Sequence, residues 1–409
     1  MDWALAMVFR QLSITVISQG VWSLLGMIVS LAAARVLSVE EFGWFTVGTT
    51  GRLLLLSIVG ALLLTPMTII GGDLQAQKAA LQSLFDKVNG MFIPVVMLIL
   101  CMAVVASLLI DVPVWAFGIY AVGGLAVELQ RRIIVIEGRL GRDLLGGISN
   151  VIGVMGGYVI LTLQGLMSAW GAFLVVGMAN LIWVTADKGG GLLRFNSLGL
   201  EHWPEFWKIG KWVLGSNMAG YLYNQMALFY TLALVGVSGV AMLEMGRQLM
   251  AVAQVLLLGM ASFWQPRLAR QVYDDKPVIF VKRVWGISLG QTVLILVVIA
   301  IFLVIAPTLL EVVLPDKASS YGSAIEIAWI MGLVMLLQSL WQHVSYASAV
   351  LGKPEYGFWG RLAVVLLLLP VGYFLTATNG VNGAAWTRVL GEGAFLVFAS
   401  IALHNAAKK

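Results

Sequence analysis

The sequence predicts an all-α integral membrane protein in which twelve transmembrane helices form two six-helix lobes. Hydrophobic residues make up 60% of the chain and charged residues only 11%, whereas soluble domains contain roughly 25% charged residues. Apolar runs of about 20 residues, the length that crosses a bilayer as a helix, recur along the whole sequence. The basic residues between these runs fall mainly on one side. These observations argue against a soluble domain of any class.

Apolar windows compared with this crossing length define twelve predicted spans. The spans are 13–34, 44–70, 90–110, 113–130, 144–163, 167–185, 211–235, 240–263, 285–306, 324–349, 360–377 and 381–403. The opening stretch MDWALAMVFRQLS has no basic region followed by a small-residue cleavage site, so no removable signal peptide is expected.

The positions of Lys and Arg orient the spans. Of the 25 basic residues, Arg35 and Lys317 lie in outer connections and Arg52, Arg247 and Arg388 lie within spans. The other 20 lie on the inner side if the N-terminus is inside. Because basic connections stay in the cytoplasm, both termini are predicted to be cytoplasmic.

Several functions lack the residues that they require. The single cysteine, Cys101, excludes an internal disulfide and a cysteine metal site. The sequence has no G-x-x-x-x-G-K-[ST] phosphate loop, so direct use of ATP is not indicated. Short outer connections and scattered histidines argue against a membrane glycosyltransferase, polymerase or ligase. No cofactor, metal or nucleic-acid partner is predicted.

The two halves of the chain carry similar motifs in the same order. Residues 136–177 contain IEGRLGRDLLGGISN and LTLQGLMSAWGAFLVVG, and residues 350–391 contain VLGKPEYGFWGRLAVV and TATNGVNGAAWTRVLG. This repetition predicts lobes at 1–186 and 211–409, joined by an amphipathic cytoplasmic linker at 187–210. A substrate site between two repeated lobes is typical of a transporter, although a structural protein can also be duplicated.

Four stretches, two of which overlap these motifs, resemble the Wzx-type polysaccharide flippases of the multidrug/oligosaccharidyl-lipid/polysaccharide exporter superfamily. They are AARVLSVEEFGWF, WQPRLARQVYDD, SYASAVLGKPEYGFWGRL and TNGVNGAAWTRVLGE. The resemblance implies a central cationic cavity and alternating access in a bacterial inner membrane. The implied substrate is an undecaprenyl-pyrophosphate-linked oligosaccharide, flipped outward among membrane lipids for O-antigen, capsule or exopolysaccharide synthesis. A polysaccharide polymerase and other assembly proteins are the implied partners.

Three arginines lie well inside predicted spans, where a charged side chain is costly and normally has a role. Arg52, Arg247 and Arg388 each fall roughly 10–12 Å below the outer edge of their spans, at 1.5 Å per residue. Guanidinium groups bind phosphate oxygens in pairs and stay charged when partly desolvated. The sequence therefore predicts a cationic ring that binds the pyrophosphate.

The same spacing allows a structural alternative for two of these arginines. Arg388 and Glu392 are four residues apart, and Glu244 and Arg247 are three apart, so each pair can meet on one helix face. The carboxylates are also candidates for binding H⁺ or Na⁺ when the cavity changes access. Arg52 differs because its span contains no acidic residue.

Amide side chains supply the candidate sugar contacts. Gln19, Asn217 and Asn224 can either bind sugar hydroxyls or hold helices together. The main alternative function is a cation or multidrug antiporter of the same fold. The first span contains no acidic residue, which favours an anionic substrate over a cationic one.

Overall fold

A computed structural model describes residues 21–24, 26–73, 77–186, 203–274, 277–351, 353 and 355–408. Within these ranges every regular element is helical, which confirms the all-α class. Gln19 and residues 187–202 of the predicted linker lie outside the described ranges.

The helices follow the apolar runs and extend beyond most of them. Before the linker they are α1 (Val21–Val36), α2 (Val39–Val59), a π turn (Gly60–Leu64), α3 (Thr65–Asp73), α4 (Lys78–Ile110), α5 (Val114–Ile136), α6 (Leu140–Leu163) and α7 (Ala169–Ala186). After it they are α8 (Trp203–Leu234), α9 (Val237–Leu249), α10 (Ala251–Asp274), α11 (Pro277–Val313), a 3₁₀ turn (Ser319–Tyr321), α12 (Ser323–Val350) and α13 (Glu355–Ala407).

Length and apolar composition make this a multi-pass membrane protein. Among the described residues, 7 helices are long and apolar enough to cross a bilayer, or up to 8 if the bent pair α9 and α10 forms one span. The 53-residue α13 consists of two helices joined at Gly380, whose backbone is not helical. Several predicted spans coincide with these helices, and the total of twelve stays a prediction.

The helices form two compact units. The N-terminal unit contains Met1–Leu37 and Val47–Met218, and the C-terminal unit contains Ser38–Thr46 and Ala219–Lys409. Helices α2 and α8 therefore contribute residues to both units. The lobe boundaries at 186 and 211 stay a prediction. Helix α8 runs without a break across residues 211 to 219.

Small residues bring α5 and α7 together in the N-terminal unit. A Cβ atom added to Gly123 would lie 2.5 Å from the carbonyl oxygen of Gly177, and one added to Gly177 would lie 2.7 Å from the backbone nitrogen of Tyr120. Close backbone approach through glycine is the usual way in which membrane helices pack, since lipid gives them no hydrophobic drive to associate.

Two buried asparagines join α6 to α7 in the same unit. Asn150 Nδ2 donates to Asn180 Oδ1 over 2.6 Å, and both side chains are buried. We expect Asn150→Ala to lower stability by about 1–3 kcal/mol, because it leaves the Asn180 amide buried without this partner. Melting temperatures in detergent will test this. If the pair matters, Asn150→Ala combined with Asn180→Ala will cost less than the sum of the single changes; additive costs would contradict it.

The eighth predicted span, 240–263, is not one straight helix. Helices α9 and α10 meet at Met250 with a bend of 55°. The Met250 N–H donates to the Arg247 carbonyl rather than to the carbonyl four residues back. On α9, Gly246 lies so close to α12 that an added Cβ would be 2.5 Å from Ile327. Packing against α12 thus fixes the direction of α9, and α10 continues in a different direction after the bend.

Candidate functional site

Arg52 lies on α2 in the N-terminal unit, with its guanidinium against α5. The guanidinium carbon is 4.9 Å from the centre of the Tyr120 ring, and the Tyr120 hydroxyl donates to Thr49 Oγ1 over 3.2 Å. In the described part of the chain, Arg52 has no ion pair, and its buried Nε has no hydrogen-bond partner. The described residues thus give this cation an aromatic face but no anion.

A glycine on α5 makes room for this side chain. A Cβ added at Gly124 would lie 2.5 Å from Arg52 Nη1 and 2.7 Å from Arg52 Cδ. No real Cβ fits so close, so a larger residue at 124 would displace the guanidinium. The backbone of α5 and the Tyr120 ring therefore hold Arg52 in place without neutralising it, as an anion-binding residue requires.

Arg388 lies on the second half of α13 in the C-terminal unit. Its Nη2 donates to Glu392 Oε1 over 3.0 Å, and its Nη1 donates to the Tyr223 carbonyl and to Asn224 Oδ1, each over 3.1 Å. The guanidinium carbon is also 5.3 Å from the centre of the Tyr223 ring. Arg388 is thus surrounded by acceptors from its own helix and from α8.

The carboxylate of Glu392 is almost completely buried, with a relative exposure of 1%. Its second oxygen accepts from Trp341 Nε1 on α12 over 2.6 Å. Glu392 therefore joins three helices, because Arg388 reaches α8 and Trp341 lies on α12. The structure forms the ion pair that the spacing of four residues allows. A role for these residues in binding substrate or an ion stays a prediction.

Arg247 and Glu244 also pair, near the end of α9. Arg247 Nε and Nη2 donate to the two carboxylate oxygens of Glu244 over 2.7 and 2.6 Å, and Gln248 Nε2 donates to the same carboxylate. The Arg247 side chain is 44% exposed, whereas that of Glu244 is only 11% exposed. This pair lies directly before the bend at Met250.

The two described asparagines of the predicted sugar site contact protein backbone. Asn217 Nδ2 donates to the Ser57 carbonyl over 3.2 Å, within the N-terminal unit. Ser57 lies three residues before the π turn, where backbone hydrogen bonding shifts by one residue. Asn224 Nδ2 donates to the Gly220 carbonyl over 2.8 Å, while its oxygen accepts from Arg388. These contacts fit the helix-holding alternative, and sugar binding stays a prediction.

An ion network joins α5, α6 and α1 near the predicted inner side. Arg131 Nε donates to Asp143 Oδ1 over 3.1 Å, and Trp22 Nε1 donates to the same oxygen. Glu128 pairs with both Arg131 and Arg132. Asp143 was not singled out from the sequence, where its only signal is its position in the first turn of α6.

A buried polar seam between α11 and α12 was also missed. Gln291 Oε1 accepts from His343 Nε2 over 2.5 Å, and the hydroxyls of Thr292 and Ser339 lie 2.7 Å apart. His343 Nδ1 and the hydroxyl of the neighbouring Ser288 are buried and have no hydrogen-bond partner among the described residues. Such atoms in a membrane interior are usually satisfied by ordered water. Histidines scattered in the sequence give no signal of this arrangement.

The side chains of the described residues form no candidate metal site. The described residues contain no group of three or more His, Cys, Asp or Glu side chains that could hold a metal ion. The two carboxylates predicted to couple ions, Glu244 and Glu392, both face arginines.

Comparison with solved structures defines the fold more closely. An inward-facing multidrug resistance MATE family transporter of the MOP superfamily has a TM-score of 0.72 at 11% identity, covering 95% of this chain and 96% of that one. The lipid II flippase MurJ, in an inward closed conformation, has a TM-score of 0.73 at 10% identity, covering 95% and 87%. The eukaryotic MATE transporter AtDTX14 has a TM-score of 0.62 at 14% identity, covering 98% of each chain.

The chain therefore has the fold that these MATE and lipid II transporters share. No protein-family model matches the sequence, and no curated protein matches it. The identities of 10–14% establish the fold alone. The choice between substrates depends on the chain's own residues.

Proposed function

We propose that the protein is a flippase for undecaprenyl-pyrophosphate-linked oligosaccharides, moving them from the cytoplasmic to the periplasmic leaflet of a bacterial inner membrane by alternating access. It is a transporter and not an enzyme, and it serves surface polysaccharide synthesis. The observation that carries the proposal is Arg52, a partly buried arginine held by an aromatic ring and without an ion pair in the described residues.

Arg52 is costly to place within a membrane-spanning helix. Placing a guanidinium at mid-membrane depth costs at least about 3 kcal/mol. Arg131 and Arg388 meet carboxylates, whereas Arg52 meets none among the residues that the structure describes. A substrate pyrophosphate would supply the missing anion, with paired charge-assisted hydrogen bonds. Binding of the lipid-linked substrate would then recover the cost that the empty protein bears.

The carboxylates support an anionic substrate over a cationic one. A large lipophilic cation needs an acidic group that is open to it, whereas H⁺ or Na⁺ needs only a transient opening of an ion pair. Glu392 is enclosed by Arg388 and Trp341, and Glu244 by Arg247 and Gln248. MATE transporters and the lipid II flippase share this fold, so the fold alone does not favour either class.

The other predicted site residues bind the substrate or couple its transport to an ion gradient. Arg247 and Arg388 complete the pyrophosphate-binding ring with Arg52, and Gln19, Asn217 and Asn224 contact the sugars. Glu244 and Glu392 couple transport to an H⁺ or Na⁺ gradient when their arginine pairs open. The polysaccharide polymerase and other assembly proteins receive the product outside, and both termini are cytoplasmic.

Mass spectrometry of lipids that co-purify with the gently solubilised protein tests this function. We expect an enriched polyprenyl-pyrophosphoryl oligosaccharide with the wild type and at least a tenfold depletion with Arg52→Gln, since charged hydrogen bonds are worth about 1.5–3 kcal/mol. Arg132→Gln is the matched control, because it removes one guanidinium from the same unit but from a group paired with Glu128.

The outcomes separate the candidate functions. If Arg52→Gln and Arg132→Gln co-purify with equal amounts of the polyprenyl lipid, Arg52 does not bind the pyrophosphate. Purification with ordinary phospholipids alone, together with displaceable binding of lipophilic cations, would replace the proposed function with a multidrug antiporter.

A further inference from the structure

We propose that Arg361 is a second anion-binding residue of the C-terminal unit, and that it contacts the substrate pyrophosphate before Arg388 does. This inference rests on the proposed function and extends it to the path of the phosphate. In the sequence, Arg361 counts among the 20 basic residues on the inner side, at the edge of the predicted span 360–377. In the structure it is part of α13, the seventh residue of that helix.

The first support is the state of the Arg361 side chain. It is partly buried, and its guanidinium carbon is 5.8 Å from the centre of the Phe395 ring. Opposite it on α8 is Gly220, where an added Cβ would make an ordinary contact of 3.6 Å with Arg361 Nη1. Within the described ranges Arg361 has neither an ion pair nor a hydrogen bond. Its donors therefore remain available to a ligand.

The second support is an aromatic connection between the two arginines. The Tyr223 ring, which lies under Arg388, is 5.9 Å from the Phe395 ring, which lies under Arg361. The Trp341 ring meets Phe395 edge-on at 4.7 Å. The two guanidinium groups thus rest on adjoining rings of one cluster, and the rings hold both in place.

The charges of the described residues in this cluster do not balance, and the excess is positive. Glu392 is the carboxylate between the two arginines, and both of its oxygens are engaged by Arg388 and Trp341. Two guanidinium charges and one carboxylate leave one positive charge, which belongs to Arg361. A phosphate group is the ligand that a planar, persistently charged guanidinium binds best.

The position of Arg361 along α13 gives the order of contact. Phe395, beside Arg361, comes seven residues after Arg388, which is about 10 Å along a helix. With the C-terminus cytoplasmic, as predicted, Arg361 lies nearer the leaflet from which the substrate enters. The pyrophosphate therefore meets Arg361 first and Arg388 afterwards.

Equilibrium binding of undecaprenyl pyrophosphate to the full-length protein in detergent tests this inference. We expect Arg361→Gln to weaken binding roughly 10- to 100-fold, the range for loss of charge-assisted hydrogen bonds, and Arg361→Lys to weaken it less. Lys353→Gln is the matched control, because it removes one charge from the same unit at an exposed pair with Glu355. Undecaprenol, which has no phosphate, should bind equally to all variants.

A charge-rescue experiment separates charge from structure. Cys101 is the only cysteine and is exposed, so Cys101→Ser gives a background without thiols. Arg361→Cys in that background should bind weakly and recover when 2-aminoethyl methanethiosulfonate adds an ammonium group. Methyl methanethiosulfonate, which adds no charge, should give no recovery. Recovery with both reagents would assign Arg361 to packing and overturn the inference.

The remaining outcomes distinguish this inference from the proposed function. If the wild type does not prefer undecaprenyl pyrophosphate to undecaprenol, the proposed function fails. If the wild type shows that preference and Arg361→Gln binds as tightly, Arg361 alone is wrongly assigned. If Arg361→Gln loses only bound phosphatidylglycerol, the residue binds a lipid headgroup and the inference fails.

Discussion

Glu392→Gln will destabilise the C-terminal unit by about 3–5 kcal/mol, the usual cost of leaving a buried charge without its partner. Glu392 is 1% exposed and accepts from Arg388 and Trp341. Glutamine keeps the size of the side chain but supplies one acceptor and two donors. It can satisfy Arg388 or Trp341 but not both, and it leaves the guanidinium charge uncompensated.

The measurement is thermal unfolding in detergent with a compensating double change. Arg388→Met combined with Glu392→Gln removes both charges and lets the amide oxygen accept from Trp341. We expect this double variant to be more stable than Glu392→Gln alone, because a buried ion pair replaced as a whole costs little. If Glu392→Gln melts at the temperature of the wild type, the carboxylate is not the charged partner of Arg388.

Local sequence spacing was sufficient for part of this site. Glu244 and Arg247, and Arg388 and Glu392, lie three and four residues apart, so a helical backbone alone brings each pair together. The bonds from Trp341 to Glu392 and from Arg388 to the backbone of Tyr223 join residues far apart in sequence. They depend on which helices pack together, and spacing carries no information on that.

The sequence pattern singled out Arg52 but not Arg361. The absence of acidic residues in its span predicted that Arg52 needs a partner from elsewhere, and the structure places the Tyr120 ring against it. Arg361 was not singled out from the sequence, because it lies at the predicted cytoplasmic end of an apolar run, where a basic residue normally faces the headgroups. Only the contact with Phe395 distinguishes it from such a residue.

The fold shows the same division. Long apolar runs determined the class, because a bilayer leaves the backbone few alternatives to a helix. The π turn at Gly60–Leu64 and the bend at Met250 were not predicted. Each lies beside a tertiary contact: Asn217 donates to the Ser57 carbonyl three residues before the π turn, and Gly246 packs closely on α12 before the bend. Hydropathy does not record such contacts.

Gly383→Ala will destabilise the protein by at least about 3 kcal/mol, the upper range for overpacking, or prevent folding. Gly380, with φ 57° and ψ −136°, turns the chain sharply between the halves of α13. As a result, a Cβ added at Gly383 would lie 1.9 Å from the Leu375 carbonyl oxygen and 2.4 Å from its carbon. These are backbone atoms near the end of the first half, so a side-chain rotation cannot relieve the clash.

The matched control is Gly393→Ala on the same helix. A Cβ there meets no atom within 4 Å, and alanine favours a helix over glycine by about 1 kcal/mol, so this variant should melt at or above the wild-type temperature. Yield of monodisperse protein and melting temperature measure both changes. Equal behaviour of the two alanine variants would mean that the turn at Gly380 opens readily. The hairpin would then be a mobile joint, and Arg361 and Arg388, on its two arms, would not be held on one aromatic cluster.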